Sequence, residues 1–100
     1  MIKIADKKWS NGRVVKTLDL GGISFEKAAS AICNLYKCEF KNRLDGIDQA
    51  YWDIEIEGNI FTLHYEHYLG VSFYPKEENI NSSVAENVLV NTKNAVIQYT

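Results

Sequence analysis

The sequence predicts an α+β fold in which an antiparallel sheet of about five strands carries two amphipathic helices. Polar and apolar residues alternate across residues 51–74, and apolar residues recur every three or four positions across residues 25–36 and 85–99. The chain has 100 residues, of which 46% are hydrophobic and 24% are charged, so it suits one globular domain spanning residues 1–100. In chain order, the predicted elements are ββαβββα.

The N-terminal part of the chain predicts a β-hairpin followed by a helix. The segments IKIA and RVVKTLDL alternate as strands do, and residues 10–12 (SNG) supply the turn between them. Gly21-Gly22 ends the second strand, and Ser24 is a suitable N-cap for a helix with Glu26 in its first turn. The apolar stripe of this helix consists of Phe25, Ala28, Ala29, Ile32, Leu35 and Tyr36.

The second half of the chain predicts a loop and then a three-stranded meander. Residues 39–50 show no sustained period and contain Asp45-Gly46, which is typical of a loop. Gly58-Asn59 favours a tight turn, a second turn lies near His67-Tyr68, and Pro75 ends the third strand. The side chains expected to point inward are Trp52, Ile54, Ile56, Phe61, Leu63, Tyr65, Leu69, Val71 and Phe73.

A second helix is predicted at the C-terminal end of the chain. Ser83 and Glu86 have the spacing of a capping box, in which each side chain accepts a hydrogen bond from a free amide at the helix start. The apolar stripe of this helix consists of Ala85, Val88, Leu89, Thr92, Ala95, Val96 and Tyr99. Two arrangements satisfy the stripes: both helices cover the same face of the sheet, or one helix covers each face.

If both helices share one face, the other face of the sheet is open to solvent. Strand alternation then places on it Tyr51, Asp53, Glu55, Glu57, Thr62, His64, Glu66, Ser72 and Tyr74. The three carboxylates at 53, 55 and 57 would lie side by side. This face is either merely solvated or a binding surface, and the outward tyrosines at 51, 68 and 74 suit a protein interface.

Charge is distributed unevenly along the chain. Residues 1–43 hold nine lysines and arginines against four acids, a net charge of +5, whereas residues 44–100 hold two lysines against nine acids, a net charge of −7. The two halves either neutralise each other in the folded protein or leave an acidic surface that attracts a basic partner. The sequence pI of about 5.6 argues against nucleic acid as the partner.

The sequence contains no established catalytic motif. It lacks GxSxG, HExxH, Walker, GxGxxG and CxxC patterns, so we expect neither an enzyme nor a cofactor or metal ion. His64, Glu66 and His67 are too few ligands for a metal site, although a small metal-dependent enzyme around His64 and Glu66 stays an alternative. A regulatory domain that binds a small ligand between the first helix and the sheet, near Trp52 and Tyr36, is another.

The sequence also favours a cytoplasmic protein. The first ten residues lack the apolar stretch and the small-residue cleavage site of a signal peptide, and no apolar run reaches the length of a membrane span, so no membrane association is expected. Cys33 and Cys38 have no redox or zinc spacing and are expected as free thiols, with Cys33 filling the core. The pair Gly21-Gly22 more often marks a plain turn than an anion site.

Residues 51–75 resemble the core of small bacterial immunity proteins, the antidotes of contact-dependent growth inhibition and related polymorphic-toxin systems. The pattern is a W-x-I-x-I-x-G strand at 52–58, a strand that contains L-H-Y at 63–65, and L-G-V-S at 69–72. The resemblance covers a quarter of the chain. It implies a cytoplasmic, non-enzymatic protein that binds one cognate toxin domain, one to one, and is a monomer when free.

Candidate partner-binding residues follow from the strand alternation and the charge pattern. A toxin that is a nuclease has a basic groove, which acidic side chains could occupy as phosphate does. The expected binding residues are Tyr51, Asp53, Glu55, Glu57, His64, Glu66, Tyr74, Glu77 and Glu78.

Overall fold

The computed structural model describes residues 2–8, 11–77 and 79–99 and has the predicted α+β architecture. Its elements are β1 (Lys3–Lys8), β2 (Val14–Gly21), α1 (Phe25–Tyr36), β3 (Lys41–Asp45), β4 (Gln49–Ile56), β5 (Asn59–Glu66), β6 (Gly70–Pro75) and α2 (Ser82–Tyr99). Every strand pair is antiparallel, and the strand order across the sheet is β1-β2-β6-β5-β4-β3. The N-terminal hairpin and the meander of β4, β5 and β6 are confirmed.

The sheet has one strand more than the alternation pattern indicates. β3 lies in the segment predicted to be a loop, and β4 begins at Gln49, so that prediction is wrong for residues 41–45 and 49–50. All five of its side chains are exposed, and the strand therefore has no apolar alternation to reveal it. β3 is an edge strand paired with β4, and its register shifts between Lys41 and Leu44, where Asn42 adopts a φ of 52°.

Both helices cover the same face of the sheet, so the alternative with one helix on each face is wrong. α2 packs against α1 and against β1, β2 and β6. The Tyr36 hydroxyl of α1 donates to the Val88 carbonyl oxygen of α2 at 3.0 Å. At the other end of α1, the ring of Phe25 contacts Trp52 edge-on with 4.8 Å between centroids. The opposite face of the sheet is consequently free of helices.

The core lies between this helix pair and the sheet. Its side chains are Leu18, Leu20, Ala28, Ala29, Ala31, Ile32, Phe40, Ile54, Ile56, Phe61, Leu63, Val71, Phe73, Val88, Leu89 and Val96. Leu35 and Tyr99, predicted on the helix stripes, are exposed, as is Leu69, which belongs to the β5–β6 turn and not to a strand. Cys33 packs at the edge of the core, where burial raises the pKa of its thiol.

The helix starts are fixed by side-chain caps. Ser24 caps α1 as predicted, because its Oγ accepts from the Lys27 amide at 3.4 Å. The capping box predicted for Ser83 and Glu86 is wrong. α2 begins at Ser82, and Asn81, two residues before the predicted cap, caps it with an Oδ1 that accepts from the amide of Ser83 at 2.8 Å.

The hairpin turns are close to prediction. Asn11 Oδ1 accepts from the Arg13 amide at 2.9 Å in the first turn, while Ser10 lies outside the described residues. The β4–β5 turn consists of Glu57 and Gly58, one residue earlier than predicted, with φ values of 52° and 78°. None of the helices in the described part of the chain has the length and apolarity needed to cross a membrane.

Candidate binding surface

The open face of the sheet carries two rows of side chains across its central strands. Tyr51, His64 and Ser72 are opposite one another on β4, β5 and β6. Asp53, Thr62 and Tyr74 form the adjacent row on the same strands. The alternation in the sequence therefore placed these side chains on the correct face.

Two pockets adjoin on this face and together form what we call the sheet groove. The first pocket, of about 620 Å³, is lined by residues including Tyr51, His64, Glu66, Leu69, Ser72 and Tyr74. The second pocket, of about 780 Å³, is lined by residues including Arg43, Leu44, Tyr51, Asp53, Tyr74 and Lys76. Tyr51 and Tyr74 line both pockets, so the groove is continuous across the two rows.

Aromatic rings form the middle of the sheet groove. Tyr51 stacks on His64 with ring centroids 4.2 Å apart, and Tyr74 meets His64 edge-on at 6.2 Å. The Tyr51 hydroxyl donates to Gln49 Oε1 at 2.6 Å, which fixes the orientation of the ring. His64 Nε2 is buried and has no hydrogen-bond partner within the described residues.

Burial keeps both His64 and Tyr74 uncharged at neutral pH. It lowers the pKa of the His64 imidazole, an effect that the nearby Glu66 carboxylate opposes. Burial also raises the pKa of Tyr74 to about 12, with smaller contributions from Tyr51 and Asp53. The groove centre is thus neutral, although charged residues surround it.

Acidification is expected to destabilise the fold through His64. Because burial lowers its pKa below the ordinary value of 6.5, the folded chain binds a proton there less readily than the unfolded chain does. The stability that neutral His64 contributes is present above pH 6.5 and is lost as the pH falls through the folded-state pKa. Urea unfolding from about pH 5 to 7.5 should show this loss, and His64→Gln, which does not titrate there, should reduce it. An identical pH profile for His64→Gln would contradict this role.

The three carboxylates predicted to lie side by side occupy three different environments. Asp53 is only 4% exposed and accepts hydrogen bonds from the Thr62 hydroxyl and the Lys76 ammonium, both at 2.8 Å. Glu55 pairs with Lys41 at 3.1 Å, and Glu57 lies in the turn after β4. Asp53 and Glu55 share one face of β4 as predicted, but both are paired, Asp53 with Lys76 directly after β6, and Glu57 lies outside the strand.

The other predicted acids are divided between the groove and its surroundings. Glu66 lines the first pocket, and its Oε2 accepts from the Leu69 amide at 3.0 Å. Glu77 lies beyond β6, where its carboxylate accepts from the Ile60 amide at 3.1 Å. Glu78 lies outside the described residues.

The charge segregation along the chain is partly cancelled by folding. Lys41 of the basic half pairs with Glu55 of the acidic half. The sheet groove is lined by three cationic residues as well as by acidic ones: Lys7, Arg43 and Lys76. This face therefore carries both signs of charge. It is a mixed polar and aromatic surface and not a uniformly acidic one.

The residues expected to form a metal site or a small-ligand cleft make other contacts. No group of three potential metal ligands occurs among the described residues, and His67 lies in the β5–β6 turn with its ring against Tyr68. Trp52, beside the predicted ligand cleft, is packed against Phe25 and Phe40. The guanidinium carbon of Arg43 lies over the Trp52 ring, 4.2 Å from its centroid.

Among the described residues, the most exposed apolar side chains lie at one end of the sheet. Leu44, Ile47, Tyr68 and Leu69 are 69%, 100%, 86% and 80% exposed. They come from β3 and from two loops that the His67 amide joins by donating to the Asp48 carbonyl oxygen at 2.9 Å. We call these four residues the apolar tip.

The apolar tip is continuous with the sheet groove. Leu69 lines the first pocket and Leu44 lines the second. Of the four tip residues, only Tyr68 was expected in an interface. Two features of the sequence could have indicated this surface. One is an isoleucine between glycine and aspartate in a loop, and the other is a Tyr-Leu-Gly turn. In both, an apolar side chain occurs where no sequence neighbour would bury it.

Residues 2–91 match the sequence model of a family described as Protein of unknown function (DUF3630). No curated protein and no solved structure matches the chain. The matched region contains all six strands, α1, and α2 as far as residue 91, and with them the sheet groove and the apolar tip. This chain therefore belongs to the DUF3630 family.

Proposed function

We propose that this chain is a non-enzymatic binding protein whose protein partner docks on the apolar tip and the adjoining sheet groove. The observation that carries the proposal is the exposure of the four tip residues at one end of the sheet. Apolar residues scattered singly over a surface need no explanation, whereas several at one end of a sheet beside a groove favour a protein-interaction site. The tip projects from loops, so a partner surface can cover it.

The composition of the surface also suits a protein partner. Interfaces are enriched in aromatic side chains at their centre and polar at their rim. Here Tyr51, Tyr68 and Tyr74 lie in or beside the apolar cluster, with Ser72 and Glu66 around them. The described ion pairs include none for Asp45, Asp48 or Glu66, so a partner with basic residues is favoured.

The resemblance of residues 51–75 to immunity proteins supplies a finer proposal. The partner is a toxin domain, which the chain binds one to one and holds inactive in the cytoplasm. The structure modifies which residues would contact it: Tyr51, His64, Glu66 and Tyr74 remain candidates in the groove, together with the apolar tip. Asp53 and Glu55 are already paired within the sheet, so they are weaker candidates.

The proposal is tested by capture of the partner with matched variants. The tagged chain, its Ile47→Ser/Leu69→Ser variant and a Val14→Ser control are incubated with extract of the native cells at moderate salt. Val14 is a suitable control because it is 61% exposed at the far end of β2 from the tip. We expect one protein in equal amount with the wild type and the control, and its loss with the tip variant. Equal recovery by all three chains, or no recovery by the wild type, would contradict the proposal.

The toxin proposal has a separate test. The captured protein, or its domain that contacts the chain, is expressed alone and together with this chain. We expect growth arrest in the first case and growth in the second. A captured protein that is harmless when expressed alone would refute the toxin assignment and leave the binding function intact.

A further inference from the structure

The first pocket of the sheet groove holds an acid without a counter-charge. Lys7 and Asp19 both line the pocket and pair with each other, Lys7 Nζ being 4.0 Å from Asp19 Oδ2. Glu66 lines the same pocket and has no cationic partner among the described residues. Its Oε2 accepts from the Leu69 amide, which leaves Oε1 available to a ligand. The pocket therefore carries one uncompensated negative charge.

The walls of this pocket are aromatic. Tyr51, His64 and Tyr74 present their rings around it. His64 Nε2 is buried without a partner in the described part of the chain. In the tautomer that carries its proton on Nδ1, this nitrogen is an acceptor. Because this atom has no accessible surface, a docked group cannot reach it, and recognition in the pocket depends on the aromatic rings and on Glu66.

We infer that the first pocket receives an arginine side chain of the docked protein partner. This inference rests on the proposed function, because it names the partner group that enters the groove beside the apolar tip. A guanidinium is planar and permanently charged, and it carries five N–H donors, so it can stack on tyrosine and donate to Glu66 Oε1. An ammonium lacks the flat face and the forked donors, and an anion would be repelled by Glu66.

The surroundings of the pocket favour the same group. Leu69 belongs to both the pocket and the apolar tip, so a partner residue covering the tip is next to the pocket entrance. Asp48 lies beside the tip, with its carbonyl oxygen bound to the His67 amide and its side chain exposed. Its negative charge adds to that of Glu66 during approach of a basic partner.

The test uses N-acetylarginine amide as a probe and its citrulline counterpart, which has the same shape without the charge. Both are titrated into the ¹⁵N-labelled full chain, and amide shifts are followed by NMR. We expect saturable shifts at residues 64–66 and 70–72 with the arginine probe, in the millimolar range because one side chain supplies only part of an interface. The citrulline probe should bind at least about tenfold more weakly. Absent shifts, or equal binding of both probes, would overturn the inference.

Two variants test whether the arginine probe binds at Glu66. Glu66→Gln retains an acceptor for the Leu69 amide and removes the charge, so arginine binding should weaken by about tenfold while the chain stays folded. Glu86→Gln, on the exposed side of α2, should bind as the wild type does. Unchanged binding by Glu66→Gln would contradict the assignment of this pocket.

The two proposals can fail separately. Ile47→Ser/Tyr68→Ser changes two tip residues that do not line the first pocket, so it should abolish partner capture while the probe still shifts residues 64–66. If the partner is captured but the arginine probe does not bind, the inference fails and the proposed function stands. Micromolar binding of the free probe would point to a small molecule in the pocket and would overturn the partner side chain as its source.

Discussion

Replacing Gly70 by alanine is expected to lower the free energy of unfolding by about 3 kcal/mol or more. Gly70 opens β6 with a φ of 88°, a conformation that side chains rarely adopt. An alanine Cβ there would overlap the carbonyl oxygen of Gly21 and lie 3.1 Å from its carbonyl carbon. Because Gly21 is part of the backbone of β2, neither strand can move without breaking the pairing between them.

Gly58→Ala is the matched control for this prediction. Gly58 also has a positive φ, of 78°, but nothing lies within 4 Å of the position of its Cβ. We expect a loss of only about 1 kcal/mol, from backbone strain alone. Urea unfolding followed by tryptophan fluorescence measures both variants. Equal losses would show that the contact between Gly70 and Gly21 does not matter for stability.

Replacing Lys76 by methionine is expected to lower the free energy of unfolding by about 2 kcal/mol. The Asp53 carboxylate is buried, and Lys76 is its one counter-charge among the described ion pairs. Without the ammonium, the carboxylate keeps its bond from Thr62 but carries an uncompensated charge at low exposure. The loss is smaller than for a fully buried pair, since the Lys76 side chain is 58% exposed and water can partly replace it.

Two further variants separate burial from ion pairing as such. Lys41→Met breaks the Lys41–Glu55 pair, whose partners are both half-exposed, and should cost no more than about 0.5 kcal/mol. Asp53→Asn combined with Lys76→Met removes both charges and should recover most of the stability lost in Lys76→Met. Losses of the same size for Lys41→Met and Lys76→Met, measured by urea unfolding, would contradict the claim that the burial of Asp53 makes its ion pair more stabilising.

The alternation of residues was enough to predict most of the fold. Trp52, Ile54 and Ile56 alternate with polar residues because one face of β4 is buried, and the helices show the same effect at a spacing of three to four residues. β3 escaped prediction because it lies at the sheet edge and all five of its side chains are exposed, so it shows no apolar alternation. The cap of α2 was misplaced because Asn81 and Ser83 are both good N-cap residues, and tertiary contacts decide between them.

The binding surface could be predicted only in part. Strand alternation placed Tyr51, His64 and Tyr74 on the open face, since this depends on local geometry alone. It could not show that Lys76 neutralises Asp53, because that contact joins residues 23 positions apart in the chain. The apolar tip depends on how two loops meet at one end of the sheet, which no local pattern encodes.

Hydrogen exchange of the chain, alone and in its captured complex, tests the docking surface most directly. If the partner covers the apolar tip and the sheet groove, exchange at residues 46–48 and 67–69 should slow in the complex. The solvent-facing side of α2 should exchange as in the free chain, because it lies on the opposite side of the sheet. Slower exchange confined to the helices, with the two loops unchanged, would contradict binding through the tip and groove.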